Sequence, residues 1–134
     1  MHNQEILPVY DSISSVWFEG VKHGKLLIQR NPVTGSCQFY PRAHLVGLPE
    51  VQPEWIEASG KATLYTYTTV HRSVHPQFVA LAPFVIGVVT LEEGVRMTAW
   101  IVDVPQERLA CDIPLKVVFR EVHPNLTLPC FTEV

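Results

Sequence analysis

The chain has 134 residues, which is enough for one domain with a normal core, and its composition of 47% hydrophobic and 17% charged residues excludes a disordered chain. A formal net charge of -3 argues against duplex DNA or RNA as the main partner, because binding to a nucleic-acid backbone depends on a basic patch. The longest apolar run, 79–89, is too short to cross a bilayer and is broken by Pro83 and Gly87.

The N-terminal residues and the cysteines predict the compartment. Residues 1–10 contain polar side chains and a proline, without a basic start followed by an apolar run, so we expect no signal peptide. The three cysteines are widely spaced and do not form a disulfide framework. We therefore expect a cytoplasmic protein that does not enter a membrane.

The first half of the chain predicts one helix and one strand. Residues 11–22 have the apolar spacing of a helix, with Asp11 or Ser12 as the N-cap and Gly24 beyond its end. Residues 25–30 are predicted to form a strand. The stretch 31–54 contains four prolines and two glycines. Such a segment in a compact domain is typical of a separate small module or a functional loop.

The second half is predicted to be almost entirely β. Apolar and β-branched runs alternate with turn residues, and most neighbouring strands are linked as hairpins. The predicted strands are 55–58, 61–70, 84–91, 95–104, 115–122 and 126–131. Five or six strands at this spacing favour a small closed barrel or a sandwich.

The run 64–72, Leu-Tyr-Thr-Tyr-Thr-Thr-Val-His-Arg, has the strongest strand pattern, because most of its residues are β-branched or aromatic. Side chains alternate along a strand. We therefore predict that Tyr65 and Tyr67 lie on one face and Leu64 on the other. The ending in His71 and Arg72 is typical of a barrel strand that opens into a functional loop.

Several short motifs, taken in order, resemble those of a known family. They are Trp17-Phe18-Glu19-Gly20 with Gly24 and Gln29-Arg30, then Tyr40-Pro41-Arg42, the strand 64–72 after Gly60, the hairpin segments 83–85 and 91–96, and the closing segments 114–119 and 128–131. The first two aromatic residues stand in swapped order. The ordered set resembles the OB-fold acyl-CoA-associated proteins (domain of unknown function thirty-five).

The resemblance implies a mainly β fold in three parts. These are an N-terminal helical segment over 1–24, a rubredoxin-like zinc-ribbon segment over 25–54, and a small OB-fold barrel over 55–134. The family ribbon normally carries four zinc-binding cysteines. Four other residues stand at those positions: Asn31, Thr34, Leu45 and Leu48.

A structural zinc site needs four Cys or His ligands. The ribbon segment offers only Cys37 and His44. We therefore predict a degenerate, metal-free ribbon without zinc, in which packing of Leu45 and Leu48 replaces the metal.

The resemblance also implies a non-catalytic accessory subunit of an acyl-CoA-processing complex. Its partner would be a thiolase-like, aldolase-like, hydroxymethylglutaryl-CoA synthase-like or hydratase-like enzyme, giving a hetero-oligomer in which this chain helps to bind the CoA part of the ester. The candidate CoA contacts are cations, because a guanidinium matches phosphate geometry: Arg30, Arg42, His71 and Arg72. Each also has an ordinary interpretation as a surface charge or, for His71, as packing on a tyrosine.

Trp17 and Phe18 are the candidate partner contacts. Adjacent residues of a helix cannot both enter one small core, so we expect one of the two to be exposed. The alternative is that the helix lies in a groove that covers both rings.

Two other functions stay open. An OB module that binds single-stranded nucleic acid would stack bases on Tyr65 and Tyr67. A stand-alone enzyme would need a pocket with perturbed pKa values, which a sequence does not show. We assign no catalytic residue, because His75, Cys111 and Cys130 form no recognisable Cys/His arrangement.

Overall fold

The computed structural model describes residues 7–134. The first six residues, which belong to the predicted segment 1–24 and to the stretch judged for a signal peptide, lie outside this range. The elements in chain order are α1 (Ser12–Lys22), β1 (Leu27–Arg30), β2 (Cys37–Gln38), β3 (Glu54–Glu57), β4 (Lys61–Val70), α2 (Pro76–Val79), β5 (Phe84–Leu91), β6 (Arg96–Ile101), a 3-10 helix (Gln106–Arg108), β7 (Pro114–His123) and β8 (Leu126–Glu133). No helix within 7–134 is long and apolar enough to span a bilayer.

Helix α1 begins at the predicted cap. The Asp11 carboxylate accepts hydrogen bonds from the N–H groups of Ile13 (2.9 Å) and Ser14 (2.7 Å), and the Ser14 hydroxyl accepts one from the Asp11 N–H (2.9 Å). This reciprocal capping box satisfies N–H groups that have no partner inside the helix. The backbone N–H of Ser14, followed by its hydroxyl and the Ile13 N–H, lowers the pKa of Asp11. Helix α1 packs against β1 and β8, with Val21 fully buried.

Strands β2, β1 and β3 form an antiparallel sheet with β1 in the middle, which we call the ribbon sheet. The predicted boundary between residues 54 and 55 falls inside β3, which pairs with β1. Leu26, Ile28 and Ala58 belong to the same buried apolar cluster as the barrel residues. The ribbon sheet and the barrel therefore share a core, and the division into three segments stays a prediction.

The remaining strands close into a barrel with the order β4-β5-β6-β8-β7. Neighbouring strands are antiparallel except β6 and β8, which are parallel and pair at Ile101 and Phe131, and β7 returns to β4 to close the ring. This order confirms the predicted OB-fold barrel. Strand β6 ends three residues before its predicted end, because Asp103 adopts a left-handed φ of 57° and turns the chain.

A β-bulge in β4 corrects the predicted alternation. The register with β5 shifts between Leu64 and Thr66, so one extra residue is inserted. Leu64 is fully buried, and Tyr67, three residues later, packs against the same core and donates its hydroxyl to the Leu109 carbonyl (3.1 Å). The prediction that Tyr67 lies opposite Leu64 is wrong, because the bulge brings both side chains to the interior.

Gly87 of β5 is required by close packing inside the barrel. A Cβ atom at this position would lie 2.8 Å from Cγ1 of Ile101 and 2.9 Å from Cδ1 of Leu64. These distances are well below ordinary carbon contacts of 3.5–4.0 Å, roughly. The absence of a side chain at Gly87 therefore leaves room for the side chains of Leu64 and Ile101 to pack over β5.

We expect the substitution Gly87→Ala to lower the free energy of unfolding by about 1–3 kcal/mol, because it overpacks the barrel interior. Urea denaturation measures this change. The variant Ile101→Val removes Cδ1, which would also lie 2.9 Å from the added Cβ, and serves as the matched partner in a double-mutant cycle. The double variant should be less destabilised than the sum of the single variants. Strict additivity would show that the predicted clash is absent.

The Asp11 cap predicts a pH dependence of stability. Because folding lowers the pKa of Asp11, its contribution is present above the unfolded-state pKa of about 3.9 and is lost as the pH falls through the lower folded-state pKa. Asp11→Asn keeps a capping oxygen but does not titrate. Denaturation midpoints measured from about pH 7 to pH 3 should fall more steeply for the wild type than for this variant. Parallel curves would contradict the assignment.

Candidate functional site

The seam between β6 and β8 is the structural feature from which the candidate site arises. Among the described residues these two strands pair only at Ile101 and Phe131, and the Val102 N–H donates to the Phe131 carbonyl (2.8 Å). Further along β8, Pro129 has no N–H to donate to a neighbouring strand. The two strands therefore separate, and a cavity of about 540 Å³ opens between them.

Helix α1 and the loop after β2 cover this opening. Trp17 and Phe18 line the cavity from the helix, Phe39 and Tyr40 from the loop, and Trp100 from β6. We call this space, bounded also by Ile86, Met97 and Pro129, the aromatic cavity. Its walls are predominantly apolar and aromatic, as is usual for pockets that bind small molecules.

Contacts between rings hold the outer wall of the aromatic cavity in place. The rings of Trp17 and Phe18 meet edge to face with centroids 4.7 Å apart, and Tyr10 stacks on Phe18 at 4.5 Å. The Tyr40 hydroxyl accepts a hydrogen bond from the Thr98 N–H (3.1 Å) and thereby ties the loop to β6. Aromatic pairs of this geometry contribute roughly 0.5–1.5 kcal/mol each beyond their buried area.

The polar groups of the aromatic cavity are mostly occupied. The Asp11 carboxylate and the Ser14 hydroxyl are engaged in the helix cap. Burial raises the pKa of Cys130 to about 11, so its thiol is protonated at neutral pH and is a poor nucleophile. The buried indole N–H of Trp17 has no hydrogen-bond acceptor in the part of the chain that the structure describes.

Both candidate partner contacts lie in this wall. Trp17 and Phe18 are each half-buried, so the prediction that one of them is exposed is wrong. The helix lies over the seam, and the loop around Phe39 covers the remaining side, which explains how adjacent residues can both be covered. A role of the two rings in binding a partner stays a prediction.

The four candidate cations do not line the aromatic cavity. Arg30 ends β1, and its guanidinium forms an ion pair with Glu54 at 2.6 Å. Arg42 directly follows Pro41, which does line the cavity, and its side chain is exposed. His71 and Arg72 are exposed in the loop that follows β4. No hydrogen bond or ion pair within 7–134 joins the first two cations to the last two.

Gln29, which the sequence pointed to only as part of a motif, fixes the position of Arg42. It is 1% exposed, and its side-chain amide accepts from the Arg42 N–H (2.8 Å) and donates to the Arg42 carbonyl (2.7 Å). Gln38, its register partner on β2, donates to Gln29 (2.7 Å) and to the His44 carbonyl (3.2 Å). The signal in the sequence that could have pointed to this hydrogen-bond network is the pair of glutamines, Gln29 and Gln38, at facing positions of a hairpin.

The two tyrosines proposed to stack bases do not form a stacking surface. Tyr67 packs against the core, as described above. The Arg96 guanidinium lies 3.8 Å from the centroid of the Tyr65 ring, although Tyr65 is 49% exposed. This cation–π contact occupies one of the two faces on which a base could stack.

The ribbon sheet lacks the donors for the zinc ion that the family resemblance implies. The Asn31 side-chain oxygen accepts from the N–H groups of Val33 (2.8 Å) and Thr34 (3.3 Å), so it closes a turn instead of binding a metal. Leu45 and Leu48 form a backbone bridge, and Leu45 is buried while Leu48 is 39% exposed. Of the two leucines that were predicted to replace zinc ligands by packing, only Leu45 is therefore packed in the interior. Residues 7–134 contain no group of three or more His, Cys, Asp or Glu side chains arranged to bind a metal.

We expect the purified protein to contain far less than one zinc per chain, because a tetrahedral site needs four ligands and these residues do not supply them. Elemental analysis of protein produced in zinc-supplemented medium measures the content. Thermal unfolding with and without a chelator gives a second reading, and the two melting temperatures should agree. About one zinc per chain, with a lower melting temperature after chelation, would refute the prediction.

Comparisons with known proteins agree with this architecture. The profile of the family described as ChsH2, C-terminal OB-fold domain, matches residues 55–120. A DUF35 domain-containing scaffold protein from Methanothermobacter thermautotrophicus is 33% identical over 114 residues, which cover 78% of this chain and 84% of that protein. A probable enoyl-CoA hydratase alpha subunit from Thermomonospora curvata is 28% identical over 92% of this chain. The chain spans 38% of the length of that relative.

A solved structure extends the likeness to nearly the whole chain. It is titled Ltp2-ChsH2(DUF35) aldolase, and it superposes with a TM-score of 0.85 and 28% sequence identity. The match covers 95% of this chain and 98% of the other. On these grounds the chain belongs to the OB-fold DUF35 family.

Proposed function

We propose that this protein is a non-catalytic scaffold subunit of a complex that processes acyl-CoA esters. The observation that carries the proposal is the match over 95% of the chain to a structure titled as a DUF35-containing aldolase. The Methanothermobacter relative is named a scaffold protein, and the Thermomonospora relative is named as a subunit of an acyl-CoA enzyme. The partner we propose is accordingly an aldolase-like, thiolase-like or hydratase-like enzyme, in a hetero-oligomer.

The chemistry of the described residues supports a role without catalysis. Burial raises the pKa of Cys37 and of Cys130, so neither thiol is activated. The polar side chains of the aromatic cavity stabilise the helix cap and the loop. Residues 7–134 hold no metal-binding cluster that would activate water. The three free cysteines are consistent with a reducing compartment, so we propose a cytoplasmic complex.

An exposed apolar segment supports docking on a partner. The loop 71–83 between β4 and β5, which includes the short helix α2, carries Val74 (94% exposed), Val79 and Leu81, all with more than a third of their surface accessible. Contiguous exposed apolar side chains mark interaction surfaces on soluble proteins. We propose that this loop, together with the outer edges of Trp17 and Phe18, contacts the partner enzyme.

We propose that the CoA nucleotide is held mainly by exposed cations. Arg42, His71 and Arg72 are exposed and make no ion pair within 7–134, so they are available to phosphate. Arg30 is a weaker candidate than the sequence indicated, because Glu54 already neutralises its guanidinium.

The test is affinity purification of the tagged chain from its native cell, with co-purifying proteins identified by mass spectrometry. We expect stoichiometric recovery of an acyl-CoA enzyme of one of the proposed classes. The variant Val79→Glu, which charges the apolar loop, should reduce recovery at least about tenfold, since a desolvated charge at an interface is costly. Val33→Glu is the matched control, because Val33 is also exposed (81%) but lies outside the loop.

Recovery of the chain alone, or with nucleic acid, would refute the scaffold role. Equal loss of the partner in both variants would refute the assignment of the loop as the docking surface.

A further inference from the structure

We infer that the aromatic cavity binds the apolar acyl group of an amphipathic ligand, whose anionic head stays outside next to Arg42. The inference deepens the proposed function, on which it rests, because it names the part of the substrate that this chain would hold. Neither the family match nor the names of the relatives assigns a ligand to this cavity.

The volume of the cavity suits a small apolar group. About 540 Å³ lies within the range of roughly 300–1,000 Å³ for small-molecule sites. It corresponds to on the order of eighteen water-sized groups, which is room for an acyl chain of medium length. The walls formed by Trp17, Phe18, Phe39 and Trp100 offer such a chain apolar contact on several sides.

The apolar walls exclude an anionic head from the interior, because an ion loses its hydration there without gaining a partner. Asp11 is the only charged side chain that lines the cavity among the described residues, and its carboxylate is fixed by the helix cap. This carboxylate is exposed, so it adds negative charge at the edge of the cavity and offers an anion no favourable partner there. A ligand that enters therefore places its neutral, apolar part inside.

The rim supplies the opposite charge. Pro41 lines the cavity and Arg42 follows it directly with an exposed guanidinium. The buried Gln29 holds the Arg42 backbone through both its N–H and its carbonyl, so the arginine side chain begins at a fixed point next to the cavity. A guanidinium at this place matches a carboxylate or a phosphate. A ligand carbonyl close to Trp17 would also supply the acceptor that its indole N–H lacks.

The test is titration of the full chain, followed by tryptophan fluorescence and calorimetry, with decanoyl-CoA, decanoate and CoA alone. Since Trp17 and Trp100 line the cavity, decanoyl-CoA and decanoate should both change the tryptophan emission, and CoA alone should not. Affinity should rise up to roughly fourfold for each added methylene from hexanoyl-CoA to decanoyl-CoA. Tighter binding of decanoyl-CoA than of decanoate identifies the thioester as the source of the acyl group, and the reverse order identifies the free acid.

Variants locate the site. Thr98→Phe fills the cavity from β6 and should weaken the binding of decanoyl-CoA at least tenfold. Thr63→Phe, at an exposed threonine of β4 outside the cavity, should leave this affinity unchanged. Circular dichroism checks that both variants fold. Arg42→Gln should weaken the binding of decanoyl-CoA severalfold and leave the affinity for the neutral alcohol decanol unchanged. Lys116→Gln, at an exposed cation on β7, is its control.

Four results would overturn the inference. Equal binding of CoA and decanoyl-CoA, or an affinity independent of chain length, would show that the acyl group stays outside. Loss of the co-purified enzyme in Thr98→Phe with unchanged decanoyl-CoA binding would show that the cavity receives the partner. Absence of decanoyl-CoA binding while the tagged chain still recovers an acyl-CoA enzyme would refute the inference and leave the scaffold role intact. Binding of decanoyl-CoA without recovery of any enzyme would support the assignment of the cavity as the acyl site and refute the scaffold role.

Discussion

The parallel pairing of β6 with β8 is the constraint on which the rest of the structure depends. An OB barrel closes through one parallel contact, and here that contact is confined to Ile101 and Phe131. The apolar interior next to it would meet water unless another element covered it. Helix α1 lies across the gap and packs on β8, and the loop around Tyr40 completes the cover. The aromatic cavity is the space that this cover leaves unfilled.

Hydrogen bonds of the ribbon sheet position this cover. Gln29 buries an amide whose hydrogen-bonding groups are used on Arg42 and Gln38, so the buried polar group is satisfied. A satisfied polar network specifies one arrangement, because any displaced loop would leave buried donors and acceptors unpaired. In a zinc ribbon the ion would impose that uniqueness. Here the amides of Gln29 and Gln38, with the turn at Asn31, supply the corresponding hydrogen bonds.

The sequence predicted the elements well, because they depend on local patterns. The Asp11 cap and the strands 61–70 and 84–91 follow from residue type and spacing, and the structure has them at these positions. The bulge in β4 was missed, since a register shift depends on the partner strand and leaves no mark in the alternation. The cavity could not be predicted either. Its walls come from residues as distant in sequence as Trp17 and Trp100, and only the fold brings them together.

The separation of apolar wall from cationic rim follows from one short segment. Residues 39–42 place two aromatic rings, a proline and an arginine in succession. Gln29 holds the Arg42 backbone, and the Tyr40 side-chain hydroxyl accepts a hydrogen bond from the Thr98 N–H. Two fixed points so close together leave little freedom between them. The apolar side chains therefore face the seam while the guanidinium stays in solvent. In the proposed function, this arrangement distinguishes the two ends of an amphipathic ester, with the acyl part against the rings and the anionic head next to Arg42.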